Sequence, residues 1–322
     1  MKRLVWLLVT PLLASPLWAA DLMQIYREAQ ANDAAYAAAR STVEAGRERT
    51  PQALAGLLPT IGISGNTQWN ENDISLRNST TTDNVKFNSN GYSLTLTQPL
   101  FRWQNWVAYG QSKFQVAQAE ANFVQAGQDL ILRVAQAYFD VLYANENLKA
   151  VRANKVSIEQ QLESAKRNFE VGTSTIVDAQ EAQARFDLAI AQEIAAESDL
   201  EVRQRTLQAV IGKEPGALAP FRRDAEIPQP QPADMKKWAA AAENDNINVQ
   251  LQTAALEIAS LEVDRQRAGH YPTVDLVASK GSTTALASAG LGLVDSDFRN
   301  IGIQVNLPIF QGGQVVSRQR EA

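Results

Sequence analysis

Between residues 59 and 69 the side chains alternate: Ile61, Ile63 and Trp69 share one parity, and Gly62, Ser64, Asn66 and Gln68 the other. Successive side chains of a strand point to opposite faces, so this segment offers one greasy and one wet surface. Tyr92, Leu94 and Leu96 alternate in the same way with Ser93, Thr95 and Thr97. Each run is about ten residues, the length at which a tilted strand crosses a bilayer. The stretch 70–91 between them is almost entirely polar and is predicted to be an exposed loop.

The unit recurs. Tyr271-Pro272-Thr273-Val274 echoes Leu58-Pro59-Thr60-Ile61 at a spacing of 213, and Pro308-Ile309-Phe310 echoes Pro99-Leu100-Phe101 at a spacing of 209. Ile301, Ile303, Val305 and Leu307 again alternate with Gly302, Gln304 and Asn306, and the second loop is placed at 280–299. Upstream, the spacing of 213 also pairs Ala29 with Ala242, Glu44 with Glu257 and Gly56 with Gly269. Self-similarity over this distance means a tandem repeat of a strand-pair unit.

The remaining periodicity is helical. Residues 21–55, rich in alanine and opened by Asp21 as a cap, are predicted to form one thin helix. A proline-free helix follows over 106–170, which at about 1.5 Å per residue is nearly 100 Å long. On it Leu130, Val134, Ala137, Val141, Ala144, Leu148, Val151, Lys155, Ile158, Leu162, Ala165 and Phe169 recur in steps of four and three, with Lys155 the one charged member. A strict 3.5-residue period on a 3.6-residue helix marks a left-handed coiled-coil partner. Lys155 is expected to snorkel from that seam, or else to face a lumen. Gly172 ends the helix, and Thr175-Ile176-Val177-Asp178 reads as a capping box, with Asp in place of Glu, for a second helix over 174–211. Five prolines between 213 and 233 mark a linker, and 234–267 repeats the first helix.

Composition narrows the function classes. The 322 residues carry 30 Lys plus Arg against 35 Asp plus Glu, net −5 with pI near 5.2, so no basic surface calls for nucleic acid. There is no cysteine and one histidine, His270, which excludes a disulfide framework and a thiol nucleophile and leaves His270 a structural residue. No paired carboxylates, phosphate loop or nucleophile constellation is present, so neither an enzyme nor a cofactor is expected. Residues 1–19 have Lys2 and Arg3, an apolar run and a small-residue end, which is a secretory leader with cleavage leaving a chain from near Asp21. A secreted chain whose membrane-length segments are alternating strands points to a Gram-negative outer membrane. The domain reading is a leader at 1–19, repeat 1 at 20–212, a linker at 213–233 and an incomplete repeat 2 at 234–322. By internal symmetry a second helical hairpin is expected after Gly313, where nine residues remain.

Taken in this order, Leu58-Pro59-Thr60, Thr97-Gln98-Pro99-Leu100-Phe101, the run from Phe169 through Gly172 and Thr175 to Gln180, and Leu307-Pro308-Ile309-Phe310-Gln311-Gly312-Gly313 resemble the TolC-like outer membrane factor family over essentially the whole chain. The resemblance implies an α+β, mainly helical fold. In it, a homotrimer of tandem repeats gives four strands per subunit to a 12-stranded β-barrel, and long coiled-coil helices to a periplasmic α-barrel. It implies a passive conduit for type I protein secretion or multidrug efflux, with outer-membrane lipid around the barrel. The partners it implies are a periplasmic membrane fusion protein and an inner-membrane ABC, RND or MFS-type pump. Gly172, Thr175 and Asp178 are then expected at the tip, for gating and adaptor docking, the competing reading being simple turn and cap chemistry. Trp69, Tyr92 and Trp103 are expected as interface aromatics, while Trp106 and Tyr109, inside the helix, are expected to pack against neighbours. The runner-up classes are a periplasmic coiled-coil adaptor or scaffold, and a non-functional truncated remnant of the family.

Overall fold

The computed structural model describes residues 20–75, 82–220, 228–286 and 292–322. The leader at 1–19, and parts of the loops placed at 70–91 and 280–299 and of the linker at 213–233, lie outside the described residues. In chain order the elements are α1 (Leu22–Asn32), α2 (Ala34–Arg47), α3 (Arg49–Ala55), β1 (Thr60–Ser75), β2 (Thr82–Phe101), α4 (Trp103–Glu170), α5 (Ile176–Ile211), α6 (Met235–Asp245), α7 (Ile247–Arg267), β3 (Thr273–Leu286), β4 (Leu293–Asn306) and α8 (Gln314–Glu321). Two compact units form, one from residues up to Arg40 with Val124–Asp234, the other from Ser41–Phe123 with the residues from Met235 onward. Each unit draws on both sides of the long helix α4, so spatial grouping does not follow chain order.

The second unit is built on a four-stranded antiparallel sheet in the order β1-β2-β3-β4. Thr60 faces Thr97 in the first hairpin and Thr273 faces Asn306 in the second, pairs related by the same 213 and 209 spacings read from the sequence. The strands run further than hydrophobic alternation suggested. Most of 70–91 and 280–299 is strand rather than loop, because polar pairs continue the ladder where apolar ones stop. Thr67 donates to Asn88 at 3.0 Å, Asn70 to Ser89 at 2.8 Å, and Lys86 pairs with Glu71 at 2.9 Å. Register slips once, where Pro99 faces Asp275 and Phe101 faces Val274, leaving Leu100 unmatched. Proline has no N–H for the ladder, and a bulge is where a sheet accommodates it. Arg102, the residue after β2, then clamps β3 by two hydrogen bonds to Asp275, at 2.8 and 2.7 Å.

The helices of the same unit are tied to one another. Gly46 of α2 lies so close to α4 that a Cβ there would sit 2.6 Å from the Cβ of Ala119, a contact only glycine permits. Gln111 of α4, buried, donates to the Ile258 carbonyl at 2.9 Å and to Glu262 at 3.1 Å on α7. Hydrogen bonds from Arg265, then Gln266 and Gln111, hold the Glu262 carboxyl down to about 2.

The first unit packs α1 and α5 beside α4. Ile25, Ala29, Leu207 and Ile211 are fully covered, and Tyr138 on α4 donates to the Ala219 carbonyl at 2.8 Å. The single helix expected over 21–55 is three, and that expected over 234–267 is two; a capping residue makes one break in each, at Asp33 and Asn246, and a turn at Glu48 without a side-chain cap makes the other. Asp33 leaves the helical region at ψ 121° and its carboxylate takes the Tyr36 amide at 2.7 Å, opening α2. Asn246, 213 positions later, does the same at ψ 123°, accepting from the Asn248 amide at 2.8 Å. A side chain that bonds its own downstream amide competes with the helix and restarts it. Asp33 is also buried beneath Arg133, which donates to it at 3.0 and 3.2 Å. Among the described residues no helix is long and apolar enough to cross a membrane.

Both breaks are open to measurement. Asn246→Ala should cost about 1 kcal/mol, the worth of an N-cap. Asp33→Ala also strips Arg133 of its partner and should cost about 2 to 3 kcal/mol. Denaturant unfolding of the purified protein should therefore give a distinctly larger midpoint shift for Asp33→Ala than for Asn246→Ala.

Candidate functional site

Two surfaces leave apolar side chains exposed, the sheet in one unit and the helical tip in the other. On the sheet, register gathers Ile61 and Ile63 of β1, Tyr92, Leu94 and Leu96 of β2, Val274, Leu276 and Ala278 of β3, and Ile301, Ile303 and Val305 of β4 onto one face. The opposite face carries Ser64, Asn66, Ser93, Thr95, Ser279 and Gln304, and Ser64 and Ser93 hydroxyls bond across the first hairpin at 2.9 Å. The apolar face is bare: Ile63 is 79% exposed and Ile301 78%. The most exposed apolar residues sit on β1 and β4, which are also the strands with an unpaired edge.

The expected interface aromatics divide. Trp69 and Tyr92 lie on the apolar face, both exposed, at the ends of its apolar stretches on β1 and β2. Trp103 stands at the opposite end, as the first residue of α4, and is also exposed. Trp106, expected to pack, is exposed too, whereas Tyr109 is half-buried with the Lys113 ammonium over its ring.

At the tip, α4 ends at Glu170 and the chain reverses within five residues. Gly172 adopts φ 73°, the left-handed region that closes a helix, and nothing crowds it, so backbone conformation alone demands glycine. The Asn168 carbonyl takes the Thr173 amide at 2.8 Å and the Thr173 hydroxyl at 3.0 Å. Thr175 then opens α5 with a complete capping box: its Oγ1 accepts from the Asp178 amide, and Asp178 Oδ2 accepts from the Thr175 amide at 2.9 Å and its hydroxyl at 2.8 Å. The Thr175 amide and then its hydroxyl hold the Asp178 carboxyl below its ordinary value. Phe169, Val171, Ile176 and Val177 surround this turn with exposed apolar surface.

Behind the tip α4 and α5 run antiparallel. Leu130 through Leu148, and Leu162, are buried at the predicted seam positions. On α5 a matching heptad went unread in the sequence: Ala179, Ala189, Ala196 and Leu207 are buried, and Glu193 falls on the same stripe. The ammonium of Lys155, the charged member of the seam, meets Glu193 across it at 2.6 Å. Arg152 brackets the pair, reaching Glu193 at 3.0 Å and Glu197 at 2.6 Å. Counting three-four steps back from Leu207 would have placed Glu193 opposite the one charged position of α4.

A sheet apolar on one face and polar on the other, in the same chain as a long antiparallel helical hairpin, defines a protein of the outer-membrane channel class. The chain belongs to the outer membrane efflux protein family, whose model matches residues 25–213 and 238–322. It is 29% identical to the outer membrane protein TolC of Vibrio cholerae over all of this chain and 73% of that one. It is 31% identical to the alkaline protease secretion protein AprF of Pseudomonas aeruginosa over 97% of this chain and 65% of that one. Its fold matches the CmeC outer membrane channel of Campylobacter jejuni with TM-score 0.76 at 19% identity, over 93% of this chain and 64% of that one. The chain thus spans roughly two thirds of the length of these proteins.

The charged layer makes a pH prediction. Lys155 is raised by its hydrogen bond to Glu193, and Glu193 is lowered by Lys155 and then Arg152. A raised ammonium stabilises fully below its ordinary value of 10.5 and loses that contribution as pH climbs through the folded value. A lowered carboxyl stabilises fully above its ordinary value of 4.5 and loses it as pH falls. Thermal unfolding of Lys155→Met against the parent should therefore differ most between about pH 5 and 10 and converge outside that window.

Proposed function

We propose that the chain is a subunit of a passive outer-membrane conduit for efflux or type I secretion. The bare apolar face on a sheet with two unpaired edges carries this reading. Lipid satisfies the face but gives the edge N–H and C=O groups no partners, so the sheet must close. One copy has four strands, too few to enclose water, and three copies joined β4 to β1 make a twelve-stranded barrel with the Ser64 and Ser93 face inward. Membership of the outer membrane efflux protein family supports it, as does likeness to the outer membrane protein TolC and to the alkaline protease secretion protein AprF. In this reading residues 1–19 direct export and 213–233 join the repeats.

The tip is then the docking surface for a periplasmic membrane fusion protein, which couples the conduit to an inner-membrane ABC, RND or MFS-type pump. Gly172 and the Thr175–Asp178 box fix its shape, and the exposed Phe169, Val171, Ile176 and Val177 supply the apolar contact. In this reading the pump supplies the energy.

The protein should stay with the membrane through carbonate extraction, run as a heat-modifiable trimer in gels, and conduct ions in planar bilayers. Recovery as a soluble periplasmic monomer would refute the conduit.

A further inference from the structure

The apolar face does not end on one row of the sheet. Away from the helices its continuous apolar runs stop at Ile63 on β1, with Trp69 further out beyond Gly65 and Thr67, and at Tyr92 on β2, Ala278 on β3 and Ile301 on β4. Tyr92 is level with Gly65, and Ala278 with Leu96, so the border drops four residues from β2 to β3. A boundary that lies in a membrane plane must run obliquely across tilted strands.

The residues that follow on β3 and β4 are Lys280 and Arg299, which stand directly opposite each other and are both exposed. Like charges directly opposed in a sheet repel. Neither side chain has an ion pair or hydrogen bond among the described residues, although Asp297 lies two positions further along β4 on the same face. Further out on that face Lys86 does have its carboxylate, Glu71. Two unneutralised cations sit where the apolar belt meets water, in line with Trp69 and Tyr92, on the side away from α4.

We propose that Lys280 and Arg299 together bind the phosphate of an anionic lipid headgroup in the leaflet distal to the helices. This rests on the conduit reading, which places the apolar face in lipid. A phosphate between the two strands turns their repulsion into two charge-assisted contacts, and the guanidinium supplies a fork that fits phosphate oxygens. The acyl chains of the same lipid then lie along Ala278 and Ile301.

The test reconstitutes the full chain in phosphatidylcholine vesicles containing about one tenth diphosphorylated lipid A, and measures lipid A retained per trimer after extraction into detergent. The parent should retain it; Lys280→Gln with Arg299→Gln should retain about 10- to 30-fold less while remaining a heat-modifiable trimer, and the charge-keeping swap Lys280→Arg with Arg299→Lys should retain it. Equal retention by the neutral variant overturns the site, and so does full displacement by millimolar inorganic phosphate, which would mark a free-anion site instead. A parent that never inserts into vesicles overturns the conduit reading itself.

Discussion

Unpaired backbone on β1 and β4 is the constraint from which the rest follows. Those two strands carry both the open edges and the sheet's most exposed apolar residues, Ile63 and Ile301 among them. Water solvates the edges but not the side chains, and hydrocarbon the reverse. Neither medium satisfies a lone copy. Pairing edge to edge with further copies resolves the conflict, because hydrogen bonds are then made between chains while the greasy face stays outward.

The helical hairpin meets a different demand with different chemistry. Its seam is lined largely by alanine, valine and leucine, which hold the two helices together by burial alone. A uniform stripe of that kind holds the helices together but tolerates a slide of one heptad. The Lys155–Glu193 pair, with Arg152, removes the tolerance: a slip would leave charges facing apolar neighbours. Fixing the slide also fixes which residues reach the turn at Gly172.

What the sequence revealed and what it hid have physical causes. The strand starts and the equivalence of the two hairpins were legible, since Pro59 and Pro272 precede segments that keep a strict two-residue period. Strand length was not, because beyond Trp69 the period dissolves into polar residues that pair by hydrogen bonds rather than by burial. The interruptions at Asp33 and Asn246 hid inside alanine-rich stretches whose propensity argues for unbroken helix. Their spacing of 213, the same as that of the strands, was the available clue. The capping box at Thr175 and Asp178 was readable because its signature is local. The clamp between Arg102 and Asp275 was not, because it joins residues 173 positions apart that no local pattern connects.

That distance has a kinetic meaning. β2 and β3, the central neighbours of the sheet, are separated by more than 170 positions holding α4 to α7. The β1–β2 hairpin is therefore synthesised well before its inner neighbour exists, and it waits with a raw edge on either side. Contacts that close such long loops form late and slowly. During that interval the first hairpin is the part of the molecule most exposed to mispairing with other chains. The order of emergence thus makes escort of the nascent polypeptide, more than final stability, the step that governs yield.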